Sequence, residues 1–271
     1  MKIAVRDFNL EATLDSGQVF GFVKNSGSVY EGEISGIHVM LSLHPEHLSI
    51  ETNGSQVSER AIRAYFNLDH DMAPVYELLL EDDRLKLAYQ EFKGLRIIRQ
   101  DPWEALACFI ISSKNNIKRI RKIRRNLSSA FCESPFRFPE ARKIAQSNEG
   151  ILKQLGLGYR APFLLAAAKR VVQDGNLFSK IRKKSYREAK NELMNFRGVG
   201  EKVADCALLF GFQKYEAFPV DVWIYRAMRK LYFRNRMVSE RRVREFGQRR
   251  WGKCAGYIQQ YLYHGVKSNI W

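Results

Sequence analysis

The segment FRGVGEKVADCALLFGF, residues 196–212, sets a lysine and a cysteine directly behind two closely spaced glycines. Gly198 and Gly200 disfavour a continuous helix and favour a tight turn with unusual dihedrals. Apolar residues recur with helical spacing on both sides, so the segment reads as helix, short hairpin, second helix. The first N–H groups of that second helix have no partners within it and carry the positive end of its dipole, which suits a phosphate. Such a contact would position a nucleic-acid strand without reading its sequence. An ordinary helix–helix turn needs the same glycines. Lys202 falls in the first turn of the second helix, where the dipole disfavours a cation. A neutral lysine amine is the nucleophile that forms Schiff bases; a solvated surface lysine is the plainer alternative. Cys206, four residues on, shares its helix face.

A second element, FPVDVWIYR at 218–226, follows shortly. Pro219 and Asp221 precede a helical pattern, so Asp221 is a natural N-cap. A capping carboxylate at the mouth of a cleft can also stabilise positive charge on a sugar, and the two roles are compatible.

These residues need a scaffold. After Asp101-Pro102 the pattern is helical: Ile117, Ile120, Ile123, Leu127 and Phe131 recur at spacings of three and four. Further helices are expected near 139–154, 160–174, 185–195, 201–211, 222–232, 239–250 and 254–266, with Ser185 and Glu188 forming a capping box. The first hundred residues differ. Ile37, Val39, Leu41, Leu43, Leu48 and Ile50 alternate, interrupted by Gly32, Gly36 and Pro45, as in short antiparallel strands. Helical stretches follow at about 56–65 and 74–92. The expected class is α+β: an antiparallel-sheet domain over 1–98, then an all-helical domain over 99–271.

The chain of 271 residues carries 45 Lys+Arg against 29 Asp+Glu, a net +16 that attracts phosphate polymers or anionic membranes. The longest apolar run, residues 105–111, is far too short to span a bilayer. MKIAVRDFNLE lacks the apolar core of a signal peptide, so a cytoplasmic chain with reduced thiols is the expectation. Cys108, Cys132, Cys206 and Cys254 are scattered, without zinc or iron–sulfur spacing, and no metal or cofactor is expected.

GVGEKVADC followed by PVDVWIYR resembles the helix–hairpin–helix glycosylases with a Gly/Pro-rich loop and a trailing Asp, and within them the 8-oxoguanine DNA glycosylase family. SGQVF (16–20), GLRIIRQDPWE (94–104), FIISSKNNIKRI (109–120), LGLGYRAPF (155–163) and AGYIQQYLY (255–263) extend the likeness in order along nearly the whole chain. The resemblance implies a TBP-like N-terminal sheet domain and a monomer that acts on double-stranded DNA containing oxidised guanine. It implies that Lys202 attacks C1′ and forms a Schiff base leading to β-elimination, that Asp221 stabilises oxocarbenium charge, and that the base leaves the stack first. Gly17 would offer its carbonyl to the lesion's N7 proton, Cys206 and Tyr263 would sandwich the base, Gln259 would read its edge, and Pro219 would supply a carbonyl. Taken singly, Gly17 fits a plain turn, Gln259 a surface helix and Tyr263 a core.

The same resemblance makes Tyr159 a wedge, sets Arg119 and Arg160 on the orphaned cytosine, and gives Asn115 and Asn116 to the gap-filling loop. Gly198 and Gly200 would hold phosphate. Two departures stand out. Lys114 takes the place of the first of three asparagines, and Trp223 stands where many relatives have a phosphate-touching histidine. Superfamily relatives with a C-terminal four-cysteine iron–sulfur cluster fit poorly, since only Cys254 lies in that region. Alkylated-base glycosylases lack the lysine, and a non-catalytic DNA-binding module has no use for the Lys202 and Asp221 pair.

Overall fold

The structure is a computed structural model describing residues 1–271 except residue 26. A five-stranded antiparallel sheet forms first, with β1 (Lys2–Ala4), β2 (Val23–Lys24), β3 (Tyr30–Ile34), β4 (Ile37–Leu43) and β5 (His47–Thr52) in the order β1-β5-β4-β3-β2. Ile34 pairs with Ile37, leaving Ser35 and Gly36, both at positive φ, as the two-residue turn that matches strand twist. Val39, Leu41, Leu48 and Ile50 point into one core, as the alternation predicts. Gly32 lies within β3 instead of interrupting it, and a Cβ there would sit 2.4 Å from the Phe22 ring. Helix α1 (Leu10–Asp15) and helix α2 (Glu59–Phe66) complete this layer, contributing Leu10, Leu14, Ile62 and Phe66 to its core.

The expected helix near 74–92 is two helices, α3 (Ala73–Glu81) and α4 (Lys86–Phe92). Asp82 breaks them. Its extended backbone (φ −106°, ψ 106°) turns the carboxylate inward, where it accepts from Arg84 Nε at 2.6 Å, Tyr232 Oη at 2.9 Å and Arg250 at 2.9 Å. Val75, Leu79, Leu85, Ala88 and Phe92 join the core of the helices that follow, while Ile98 returns to the sheet core. The two cores therefore interleave along the chain.

The helical part runs α5 (Pro102–Ser112), α6 (Ile117–Phe131), α7 (Ala141–Ala145), α8 (Glu149–Leu152), α9 (Ala161–Gln173), α10 (Leu177–Lys183), α11 (Tyr186–Met194), α12 (Glu201–Phe212), α13 (Val222–Tyr232), α14 (Glu240–Trp251) and α15 (Ala255–Lys267). The 139–154 stretch is also split, because Asn148 caps a new start at α8 by accepting from Ile151 N at 3.0 Å. Helix α10 falls outside the expected helices. The Ser185–Glu188 capping box is present.

Helix α5 is buried on nearly every face, from Trp103 to Ile111, and lies directly against α12. Gly211 permits that approach: a Cβ there would be 3.0 Å from Pro102 Cα and 3.1 Å from Ala105 Cβ. Phe109 of α5 stacks on Phe210 of α12 at 5.3 Å. The other side of α12 carries Asp205, which is 0% exposed. Tyr186 and Lys190 of α11 donate to it at 2.5 and 3.1 Å, and Arg244 of α14 at 2.8 Å. Arg244 also donates to Glu201 at 2.6 Å, so one charge cluster ties three helices. Burial pushes the Asp205 carboxyl up, and Lys190, Tyr186 and Arg244 pull it back.

The two buried carboxylates have different consequences for stability. Asp205→Asn leaves buried cations short of a counter-charge and is expected to cost about 3 kcal/mol in urea unfolding. Burial raises the Asp82 carboxyl, but bonds from Arg84 and Tyr232 outweigh that and hold it below the usual range. The folded state then binds fewer protons than the unfolded state, so Asp82 stabilises fully above a pH of about 3.9 and less as pH falls further. Asp82→Ala should cost about 2 kcal/mol at neutral pH and show a shallower loss of stability below pH ~4 than the wild type.

Candidate active site

Helix α11 ends at Met194, and residues 195–200 turn the chain into α12. Gly198 has φ +82°, and a Cβ there would lie 2.5 Å from the Phe163 ring, so no other residue fits both the backbone and the space. Gly200 is the N-cap of α12, extended and exposed, with nothing within 4 Å of a Cβ and no side-chain cap. The first N–H groups of α12 are open to an anion.

Lys202 is the second residue of α12. Its Nζ donates to Ser112 Oγ at 3.2 Å and lies 5.1 Å from the centre of the Phe109 ring. Ser112 in turn donates to the Phe109 carbonyl at 2.7 Å, so its oxygen lone pairs face the lysine. Cys206, one turn on, is buried, and burial pushes its thiol up to about 12 while Lys202 draws it down and Asp221 adds to the rise. At neutral pH it is a neutral, apolar-packed thiol, suited to lie against a ring and unsuited to attack.

Asp221 begins α13. Its Oδ1 accepts from Trp223 N at 3.0 Å and Ile224 N at 2.8 Å, which leaves the second oxygen for other work. Burial raises the Tyr263 hydroxyl, and Asp221 and Cys206 add to the rise, so the three side chains lie near one another. Tyr263 lies over Gly17: a Cβ on that glycine (φ +75°) would be 3.0 Å from Tyr263 Oη and 3.1 Å from Cε1. Gln259, 4% exposed, donates to the Pro219 carbonyl at 3.2 Å and accepts from Gln260 at 2.8 Å. Lys202, Cys206, Asp221, Pro219, Gln259, Tyr263 and Gly17 are thus drawn from four distant stretches of chain to one place.

The second group of residues borders this site through Ser112 and Ser113. Lys114 is exposed with φ +47°, Asn115 donates to the Ile111 carbonyl at 3.1 Å, and Asn116 caps α6 by accepting from Arg119 N at 2.9 Å. Arg119 is exposed. Tyr159, 52% exposed, sits between Gly158 at φ +56° and α9, on a turn that no continuous helix could make. Arg160 is buried, and its guanidinium donates to the backbone carbonyls of Ser113 and Lys114. Trp223 is 37% exposed at the rim, with Lys267 4.6 Å over its ring and Arg226 at 5.5 Å.

Sequence reasoning missed Ser112 and Phe109, which hold the lysine, although both lie in a segment it singled out. A serine beside an apolar helix gives no signal of its own. It also missed Gln18, whose buried amide donates to the Thr13 and Arg96 carbonyls at 3.0 and 2.8 Å and accepts from Ile98 N at 2.8 Å, fixing the turn that carries Gly17. Asp205 offered a signal, as a lone carboxylate inside the apolar run VADCALLF.

Residues 1–106 match the model of the 8-oxoguanine DNA glycosylase N-terminal domain, and residues 107–253 match that of the HhH-GPD superfamily of base excision DNA repair proteins. A protein of Methanothermobacter thermautotrophicus described as "Probable N-glycosylase/DNA lyase" is 30% identical over 311 aligned residues, spanning 100% of this chain and 97% of its own length. The Clostridium acetobutylicum 8-oxoguanine glycosylase/lyase, solved with double-stranded DNA containing cytosine opposite 8-oxoG, has a TM-score of 0.91 at 30% identity, covering 100% of this chain and 99% of that one. A 3-methyladenine DNA glycosylase from Archaeoglobus fulgidus shares the fold, at a TM-score of 0.80 and 22% identity over 98% of each chain. The sheet domain, the helix–hairpin–helix and these matches agree: the chain belongs to the 8-oxoguanine DNA glycosylase family, within the helix–hairpin–helix superfamily of base excision DNA repair proteins.

Proposed function

We propose that this N-glycosylase/DNA lyase removes 8-oxoguanine from double-stranded DNA with Lys202 as nucleophile. The observation that carries the reading is that the Lys202 amine and the Asp221 carboxylate, one in the first turn of α12 and the other at the cap of α13, both act on the same buried thiol, Cys206. The net charge of +16 supplies the long-range attraction to the phosphate backbone. The open N-terminus of α12 behind Gly198 and Gly200 grips one phosphate and fixes the strand.

The damaged nucleotide leaves the stack, at a cost of a few kcal/mol that pocket contacts offset. Tyr263 swings off Gly17 to admit the base against Cys206. The Gly17 carbonyl then accepts from the N7 proton that 8-oxoguanine has and guanine lacks. Gln259 presents both a donor and an acceptor to the purine edge once its bond to Pro219 is exchanged. The Lys202 amine then forms a bond to C1′ and gives up a proton as the C1′–N9 bond breaks, and the base leaves with the electron pair and takes up a proton. Asp221 stabilises the positive charge that develops on the sugar ring. Ring opening converts the aminal to a Schiff base. Loss of a C2′ proton then expels the 3′-phosphate, which nicks the strand.

Lys202→Gln should lose base release and nicking together, by at least ~100-fold under single-turnover conditions, with little change in thermal stability. Asp221→Asn is the sharper variant. Asparagine caps a helix as well as aspartate, so the fold should hold within about 0.5 kcal/mol. Loss of the charge should still slow base release by ~100-fold or more. A rate equal to the wild type's in either variant contradicts the assignment.

A further inference from the structure

Tyr159 and Arg160, which the proposed function would place at the wedge and the opposite base, are both engaged in this structure. Tyr159 Oη donates to the Ser113 carbonyl at 3.1 Å, and Arg160 Nε donates to the same oxygen at 2.8 Å. Arg160 Nη2 reaches the next carbonyl, that of Lys114, at 3.0 Å. The Arg160 guanidinium also lies 4.3 Å over the Tyr159 ring, so the two side chains form one unit. One residue upstream, Ser112 accepts from the Lys202 amine at 3.2 Å. Residues 112–114 therefore receive the gap-side residues on their carbonyls and the nucleophile on a hydroxyl. Lys114 holds this short segment at φ +47°, a backbone state a lysine rarely adopts, and Arg160 bonds the carbonyl of that very residue.

We infer that residues 112–114 couple what stands opposite the lesion to the positioning of Lys202. Any DNA group that takes up the Tyr159 hydroxyl or the Arg160 guanidinium removes a donor from Ser113. The carbonyl plane of Ser113 then shifts, and the Ser112 hydroxyl bonded to it through the chain shifts with it. Ser112 is in this account a positioning residue: it sets the direction of the amine without touching substrate. Opposite-base selectivity then appears in the rate of base release and not only in binding. The inference rests on Lys202 being the nucleophile, and the test separates the two.

The test compares single-turnover base release from duplexes with 8-oxoguanine opposite cytosine and opposite adenine. It uses the wild type, Tyr159→Phe, Ser112→Ala and the double variant. Tyr159→Phe keeps the ring and loses only the bond to Ser113. A structural defect or a weakened nucleophile slows both duplexes by one factor and leaves their ratio unchanged. Coupling predicts a wild type at least tenfold faster opposite cytosine, a ratio compressed threefold or more in each single variant, and no further compression in the double variant. An unchanged ratio in Ser112→Ala overturns the inference. So do a wild type without selectivity and a double variant that compresses the ratio by the product of the singles. A wild type that releases no base from either duplex overturns the proposed function itself, and the inference with it.

Discussion

Asp205, a carboxylate with no access to solvent, fixes helix α12 through donors on α11 and α14, and the site depends on where α12 begins. A buried charge is tolerable only with good partners, because its desolvation costs several kcal/mol. Here a tyrosine hydroxyl, an ammonium and a guanidinium all point at it, and Glu201 shares the guanidinium at the solvent edge. On the other side of α12, Gly211 lets α5 come close enough for Phe109 and Phe210 to stack. The helix is thus held by charge on one side and by close apolar packing on the other.

That placement has chemical consequences. Lys202 and Cys206 lie one turn apart on the held helix, and the hairpin that precedes it is forced by Gly198 against Phe163. The lysine lies over the Phe109 ring and donates to the Ser112 hydroxyl. One oxygen of Asp221 is committed to the first N–H groups of α13, and the other is left to the site. The Lys202 amine and the Asp221 carboxylate are therefore positioned by two separate helix starts.

Much of this was legible in the sequence for identifiable reasons. Alternation in residues 37–50 marked the sheet because one face is buried, and the capping residues Ser185 and Asp221 marked true helix starts. The hairpin showed because Gly198 and Gly200, two residues apart, cannot sit comfortably inside a continuous helix. What stayed hidden was long-range. The break at Asp82 depends on Tyr232 and Arg250, about one hundred and fifty residues away, and no local propensity encodes it. Helix α10 is short and heavily basic, with only Leu177 and Ile181 buried, too few to set a period. Ser112 and Gln18 act through backbone carbonyls and a lysine amine brought in by the fold, so their residue types carried no signal.

The central claim is that one amine, that of Lys202, becomes bonded to the sugar. It is tested most directly by reducing the reaction with borohydride on a duplex carrying one 8-oxoguanine and mapping the adduct by peptide mass spectrometry. The account predicts a sugar-derived mass on the peptide that contains Lys202, and on no other. A stable adduct at a different lysine, or base release with no adduct at all, would contradict it.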